Sequence, residues 1–144
     1  MVTSLGKDKA DKTARELPKT GCNALSIQAD VPKEKDIMQM VKKTIQTYGS
    51  IDTLINNAGI YPSMPVMSMA LADFEKVLAV NLKSVFLYTK YVAEQMIKRG
   101  RDGRIINVTS IDVLHPSSVG LAHYDASKLG KLYKKSNAAN GRTR

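Results

Sequence analysis

A chain of 144 residues, 43% of them apolar, is long enough for one domain with its own core and too short for two. The 22 basic side chains outnumber the 13 acidic ones and leave a net charge of +9, yet no apolar run approaches the ~20 residues of a membrane span. The single Cys22 cannot close an intramolecular disulfide and fits a reducing, cytoplasmic setting, with no base beside it to make it more than a structural thiol.

Val2-Thr3-Ser4 reads as part of a strand, and Met1 to Lys7 has no apolar signal core, so export is not expected. Lys7 to Leu17 reads as a helix that stops near Pro18 and Gly21. Ala24 to Ala29 is a short strand. Asp30 follows it, and Pro32 suits the first turn of a helix running to Tyr48, with Ile37, Met40, Val41, Thr44 and Ile45 on one face and Gly49 to stop it. Ile51 to Asn56 is an apolar strand, Ile60 to Met69 a loop holding Pro62 and Pro65, and Leu71 to Arg99 one long helix. A turn at Gly100 to Gly103 leads to the strand Arg104 to Val108. Ile111 to Leu121 is a loop, and the last helix begins near Ala122. Strands alternating with helices predict an α/β chain with a parallel sheet covered by helices on both faces, and ligands at the carboxyl ends of the strands. Residues 1–130 form the domain in this reading. Residues 131–144 are a basic, poorly ordered tail with Lys131, Lys134, Lys135, Arg142 and Arg144 and no acid.

The residues richest in chemistry lie in Tyr124-Asp125-Ala126-Ser127-Lys128. Side chains four apart share a helix face, and an ammonium beside a phenol favours the phenolate, which makes the phenol usable as an acid or base near neutral pH. Ser110, at the end of an apolar strand, can hold a substrate oxygen against the same phenol. Asn81 lies inside the long helix, where its amide competes with backbone hydrogen bonds, so it serves either function or local satisfaction of a buried group. His115 and His123 make neither a triad with Ser110, since no Gly-x-Ser-x-Gly elbow is present, nor a metal set. Met64, Met67 and Met69 are surface-loop residues or an apolar substrate wall.

Tyr124-x-x-x-Lys128, Ser110 after Ile105-Ile106-Asn107-Val108-Thr109, Asn56-Asn57-Ala58-Gly59, Asn81 and Asp30-Val31 occur in one order. In these motifs the chain resembles the short-chain dehydrogenase/reductases, and among them members similar to 3-oxoacyl-carrier-protein reductases and glucose dehydrogenases. The resemblance implies a Rossmann-like, doubly wound parallel sheet and NAD(P)-dependent hydride transfer between nicotinamide and a carbonyl or secondary alcohol. It implies Tyr124 as proton donor or acceptor, Lys128 as its modulator and ribose ligand, Ser110 as holder of the substrate oxygen and Asn81 as keeper of a water relay. It also places Asp30 at the adenine amino group, Val31 on the adenine ring, and Asn57, Ala58 and Gly59 beside the cofactor. Ser4, where an acid would favour NAD, and nearby Lys7 lean the choice toward NADP. A homo-oligomeric parent, dimer or tetramer, is implied, with no specific nucleic acid and no membrane as partner.

Two departures accompany the resemblance. Ser110 stands one residue further from the Tyr than in many members, and Thr109 is the competing hydroxyl. The family's Gly-rich turn and its first and last strands are absent from the sequence, so the sheet is expected to be incomplete. The missing first strand would lie between the family's second and fourth, and its loss leaves a hole with unpaired edges. Two other functions stay open on this basis: a non-catalytic piece of such an enzyme, or a basic nucleic-acid-binding module carried by the tail.

Overall fold

A computed structural model of the protein describes residues 1–17, 21, 23–100, 102–114 and 119–132. Cys22, His115 and the tail from residue 133 onward lie outside the described residues. The strands are β1 (Val2–Ser4), β2 (Ser26–Gln28), β3 (Thr53–Asn56) and β4 (Arg104–Asn107). The helices are α1 (Lys7–Glu16), α2 (Glu34–Tyr48), α3 (Leu71–Leu78), α4 (Ser84–Arg99) and α5 (Ala122–Leu129).

The core forms where two amphipathic helices meet. Ile37, Met40 and Val41 of α2 pack with Leu87, Tyr88, Val92 and Met96 of α4, and Ile27, Val31, Ile51 and Leu54 cover the cluster from the strand side. Each such side chain contributes about 1.5–3 kcal/mol when fully withdrawn from water. Gly49 ends α2 at φ 77° with its N–H on the Ile45 carbonyl, and Gly100 ends α4 at φ 68°. These are the left-handed positions that glycine adopts without a Cβ penalty. The Arg99 guanidinium binds Asp52 and the Tyr91 hydroxyl binds Glu34, so α4 is tied to the approach of β3 and to α2.

Element boundaries differ from the periodicity at three places. The second helix begins at Glu34 and not at Pro32, because the Asp30 carbonyl accepts the Lys33 N–H at 2.8 Å and closes a turn first. Asp30 therefore does not cap that helix. Its carboxylate pairs with Lys33 at 3.1 Å, while Asp36 reaches back to the Asp30 N–H at 2.8 Å. The strands β2 and β3 are shorter than their apolar runs, since the paired register covers only Ser26 to Gln28 and Thr53 to Asn56. The long helix keeps its course from Leu71 to Arg99 but contains a π-turn at Ala79–Lys83.

The strands make two parallel ribbons, β1 with β2 and β3 with β4. Between the ribbons lies an open cavity of about 730 Å³, bounded by Val2 and Thr3 of β1, by Thr53 to Asn56 of β3, and on its floor by Tyr88 and Val92. This is the hole expected from the resemblance, and the α/β class with its incomplete Rossmann-like sheet stands.

Candidate active site

The site is assembled at the carboxyl ends of β3 and β4. A π-turn carries one residue more than an α-turn and commonly marks functional positions in helices. Asn81 sits in it, fully buried. Its Oδ1 accepts the Ile60 N–H at 2.8 Å, and its Nδ2 donates to the Ile60 carbonyl at 2.9 Å and to Ser127 Oγ at 3.0 Å. One amide thus pins the segment leaving β3 and couples it to α5. Gly59, in that segment, leaves no room beyond van der Waals contact. A Cβ there would stand 3.4 Å from Asn81 Oδ1 and 3.6 Å from Lys128 Nζ.

The inward face of α5 supplies the rest. Lys128 is 5% exposed, and its ammonium donates to the Val108 carbonyl at 3.2 Å and the Thr109 carbonyl at 3.4 Å, just past the end of β4. The same ammonium lies 5.5 Å from the centroid of the Tyr124 ring, within reach of a cation–π attraction. Tyr61 meets that ring edge-on at 6.1 Å and 65°. Ser127 Oγ donates to the Tyr124 carbonyl at 2.6 Å. Ser110 is turned toward its own loop, where its hydroxyl donates to Asp112 Oδ2 at 2.9 Å and accepts the Asp112 N–H at 3.3 Å.

The structure therefore brings together Gly59, Asn81, Tyr124 and Lys128. Ser110 follows directly on the Thr109 carbonyl that Lys128 reaches, with its hydroxyl engaged by Asp112. Asn57 and Ala58 are exposed next to Gly59. Asp30 and Val31 follow β2 on the other ribbon, where Val31 lines the cavity.

Three residues of α5 and its extension were not singled out as site residues, or were placed wrongly, by sequence reasoning. Ser127 and His123 are fully buried, and Lys131 is 2% exposed. Lys131 corrects the expectation of a solvated tail at that position, because the chain continues past Gly130 as a 3₁₀ turn through Leu132. Its ammonium donates to the Val108 carbonyl at 3.4 Å, beside Lys128. Burial, and then the Lys128 charge, pull its pKa down to about 8. Both ring nitrogens of His123 are buried without a hydrogen-bond partner among the described residues. The signal was available: positions 123, 127 and 131 are four apart and share one helix stripe. Among the described residues no cluster of three metal-ligating side chains occurs, and no helix is long and apolar enough to cross a membrane.

Comparison with known proteins gives the family. Residues 1–136 match the family model for short chain dehydrogenases. The chain is 38% identical over 126 residues to the 3-oxoacyl-(acyl-carrier-protein) reductase FabG of Staphylococcus epidermidis, covering 88% of this chain and 51% of the relative. It is 37% identical over 123 residues to the 3-oxoacyl-(acyl-carrier-protein) reductase of Synechocystis, covering 85% and 49%. It is 38% identical over 125 residues to the 2-dehydro-3-deoxy-D-gluconate 5-dehydrogenase of Formosa agariphila, covering 86% and 46%. The chain spans about half the length of these relatives. With the family model matched over residues 1–136 and relatives 37–38% identical over most of this chain, the chain belongs to the short-chain dehydrogenase family.

Proposed function

We propose that this chain carries the proton-transfer centre of an NAD(P)-dependent oxidoreductase that reduces a carbonyl or oxidises a secondary alcohol. The observation that supports it is the convergence of Gly59, Asn81, Tyr124 and Lys128 from three separate segments. Tyr124 gives its phenolic proton to the carbonyl oxygen, or takes it from the alcohol. The buried Lys128 ammonium stabilises the phenolate left behind by charge attraction. Ser110 holds the substrate oxygen once its hydroxyl turns from Asp112. Asn81 fixes the segment that carries Gly59, and the water relay to Lys128 runs past it. The residues fit a nicotinamide cofactor at the ribose end. Gly59 leaves the space above Asn81 and Lys128 free of a side chain, and Tyr124 and Lys128 would bind the ribose hydroxyls. When bound, the cofactor supplies or accepts the hydride. Asp30 and Val31 would serve its adenine end, and Ser4 with Lys7 favours NADP. The half-exposed Phe86 of α4 and Leu129 of α5 support packing of these helices against a second copy in the parent oligomer.

Substrates of the reductase relatives suggest 3-oxoacyl thioesters as the first compounds to try. The test follows NADPH consumption with such a thioester, comparing the chain with Tyr124→Phe and Lys128→Met. Loss of the general acid is expected to lower turnover by about 10²–10⁴-fold. Full activity in Tyr124→Phe would overturn the assignment. Absence of turnover in the parent sequence favours the second reading, a non-catalytic piece, which the gap between the ribbons and the Ser110–Asp112 bond support.

A further inference from the structure

The centre around Tyr124 holds a second amine that the chemistry above does not use. α5 passes at Gly130 into the 3₁₀ turn Gly130–Leu132, and a Cβ at Gly130 would stand 2.9 Å from a terminal carbon of Leu82. The turn therefore lies against the π-turn that contains Asn81, and Lys131 is carried inward with it. Its ammonium reaches the Val108 carbonyl at 3.4 Å, which already accepts from Lys128 at 3.2 Å. A carbonyl oxygen has two lone pairs and accepts from both. One backbone atom just past β4 thus gathers two buried amines, and the nearer of them to the site faces the Tyr124 ring.

Two like charges buried together are unfavourable unless a counter-charge or the loss of a proton relieves them. Among the described residues no ion pair involves either lysine. The elements around Lys131 offer few other charges. Lys83 of the π-turn is exposed, Arg104 stands at the far end of β4, and Asp112 takes the Ser110 hydroxyl. His123, two turns back on α5, has both ring nitrogens buried without a partner among the described residues. Burial first, then the Lys128 charge and then a hydrogen bond with Lys128 bring Lys131 down to about 8. An amine so placed changes charge close to neutral pH, as a desolvated lysine beside a second cation does.

We propose that Lys131 is a titrating positioning residue of the proton-transfer centre, which acts through Lys128 on Tyr124. When protonated, it adds a second positive charge behind Lys128 and presses that ammonium toward the phenol. When neutral, its lone pair accepts one Lys128 N–H and draws it away. Both changes have one sign: the phenolate of Tyr124 is supported more with Lys131 charged than with Lys131 neutral. The inference rests on the Tyr124–Lys128 pair of the reading above. Its test uses neither cofactor nor substrate, so a failed turnover assay strikes that reading and leaves this result as it stands.

The full chain is labelled with ¹³C at lysine Cε and tyrosine Cζ and titrated by NMR from about pH 6.5 to about 9.5. Loss of one signal in Lys131→Met and in Tyr124→Phe assigns the two residues. The expected midpoint of Lys131 is about 8, moving upward in Lys128→Met as the like charge is removed. The Tyr124 signal should step in the same window. In Lys131→Met that step is lost and the signal stays near its high-pH position. In Lys131→Arg, which keeps its charge throughout, the step is lost as well but the signal stays near its low-pH position. An unmoved Lys131 midpoint in Lys128→Met, a Tyr124 step that survives either substitution at Lys131, or one Tyr124 position shared by the Met and Arg variants would overturn the proposal. Absence of the Tyr124 step in the unsubstituted chain overturns it without recourse to any variant.

Discussion

Replacing Lys131 with Met should stabilise the protein, although the substitution removes a hydrogen bond. The residue is 2% exposed, and its ammonium touches the Val108 carbonyl at 3.4 Å and has another ammonium, Lys128, as its neighbour. Among the described residues no ion pair involves it. Burial, and then the Lys128 charge, lower its pKa from 10.5 to about 8. Because the folded value is lower, the unfolded chain binds more protons between those values, and wild-type stability rises with pH across that window. Below pH 8 both states are protonated and the full cost of the buried charge is present. The gap corresponds to about 3 kcal/mol at 1.36 kcal/mol per decade. Methionine fills a similar space without charge, so Lys131→Met should gain about that amount at pH 7 and lose the rise toward pH 9.5. Urea unfolding followed by circular dichroism at both pH values measures this. The range stays below pH 10 because Tyr88 acts with the opposite sign. Its pKa is raised to about 12, chiefly by burial, so its contribution is present below pH 10 and is lost as pH rises toward 12. A Lys131→Met protein less stable than wild type at pH 7, or a flat wild-type profile, would refute the reasoning.

Two further substitutions probe the scaffold of the site. Asn81→Asp keeps the acceptor for the Ile60 N–H but loses both Nδ2 bonds and sets a carboxylate against the Ile60 carbonyl. It should cost about 2–4 kcal/mol in chemical denaturation, and unchanged stability would show the clamp to be dispensable. Gly120→Ala meets φ +84° and would put a Cβ 2.8 Å from Ser63 Oγ and 2.9 Å from the Met64 nitrogen, across the loop joined by the Met64 N–H to Gly120 carbonyl bond. A loss of about 1–3 kcal/mol and faster proteolysis between Ile60 and Met64 are expected, and an unaltered cleavage pattern would count against the joined loop.

What the sequence made legible was whatever rests on local pattern. The apolar stripe Ile37, Met40, Val41 and Thr44 identified α2 because a helix buries every third or fourth side chain, and Gly49 and Gly100 marked helix ends that only left-handed residues close. Order and type of the elements followed. Strand ends did not, because Ile51 and Leu25 are as apolar as the strand residues beside them, and pairing across the ladder decides where a strand stops. The π-turn was equally hidden: Asn81 is suspicious inside a helix, but only the Ile60 backbone shows why it is there. Lys131 was misjudged because a lysine in a basic run normally points to water. The stripe His123, Ser127 and Lys131 overrides that habit once α5 is docked.

The residues of the proposed cofactor site are divided between the ribbons, and this division connects the chemistry to the cavity. Gly59, Asn81, Tyr124 and Lys128 cluster at the end of β3 and β4, while Asp30 and Val31 follow β2. Any single ligand touching both groups must cross the mouth of the cavity between β1 and β3. With that cavity open, no backbone hydrogen bond among the described residues fixes one ribbon against the other, and binding must supply the ordering of both. The stabilisation by NADPH, read as a thermal shift, should therefore shrink in Asp30→Ala as it does in Lys128→Met. An undiminished shift in Asp30→Ala beside a reduced one in Lys128→Met would remove Asp30 from the cofactor site and leave the Tyr124–Lys128 end standing.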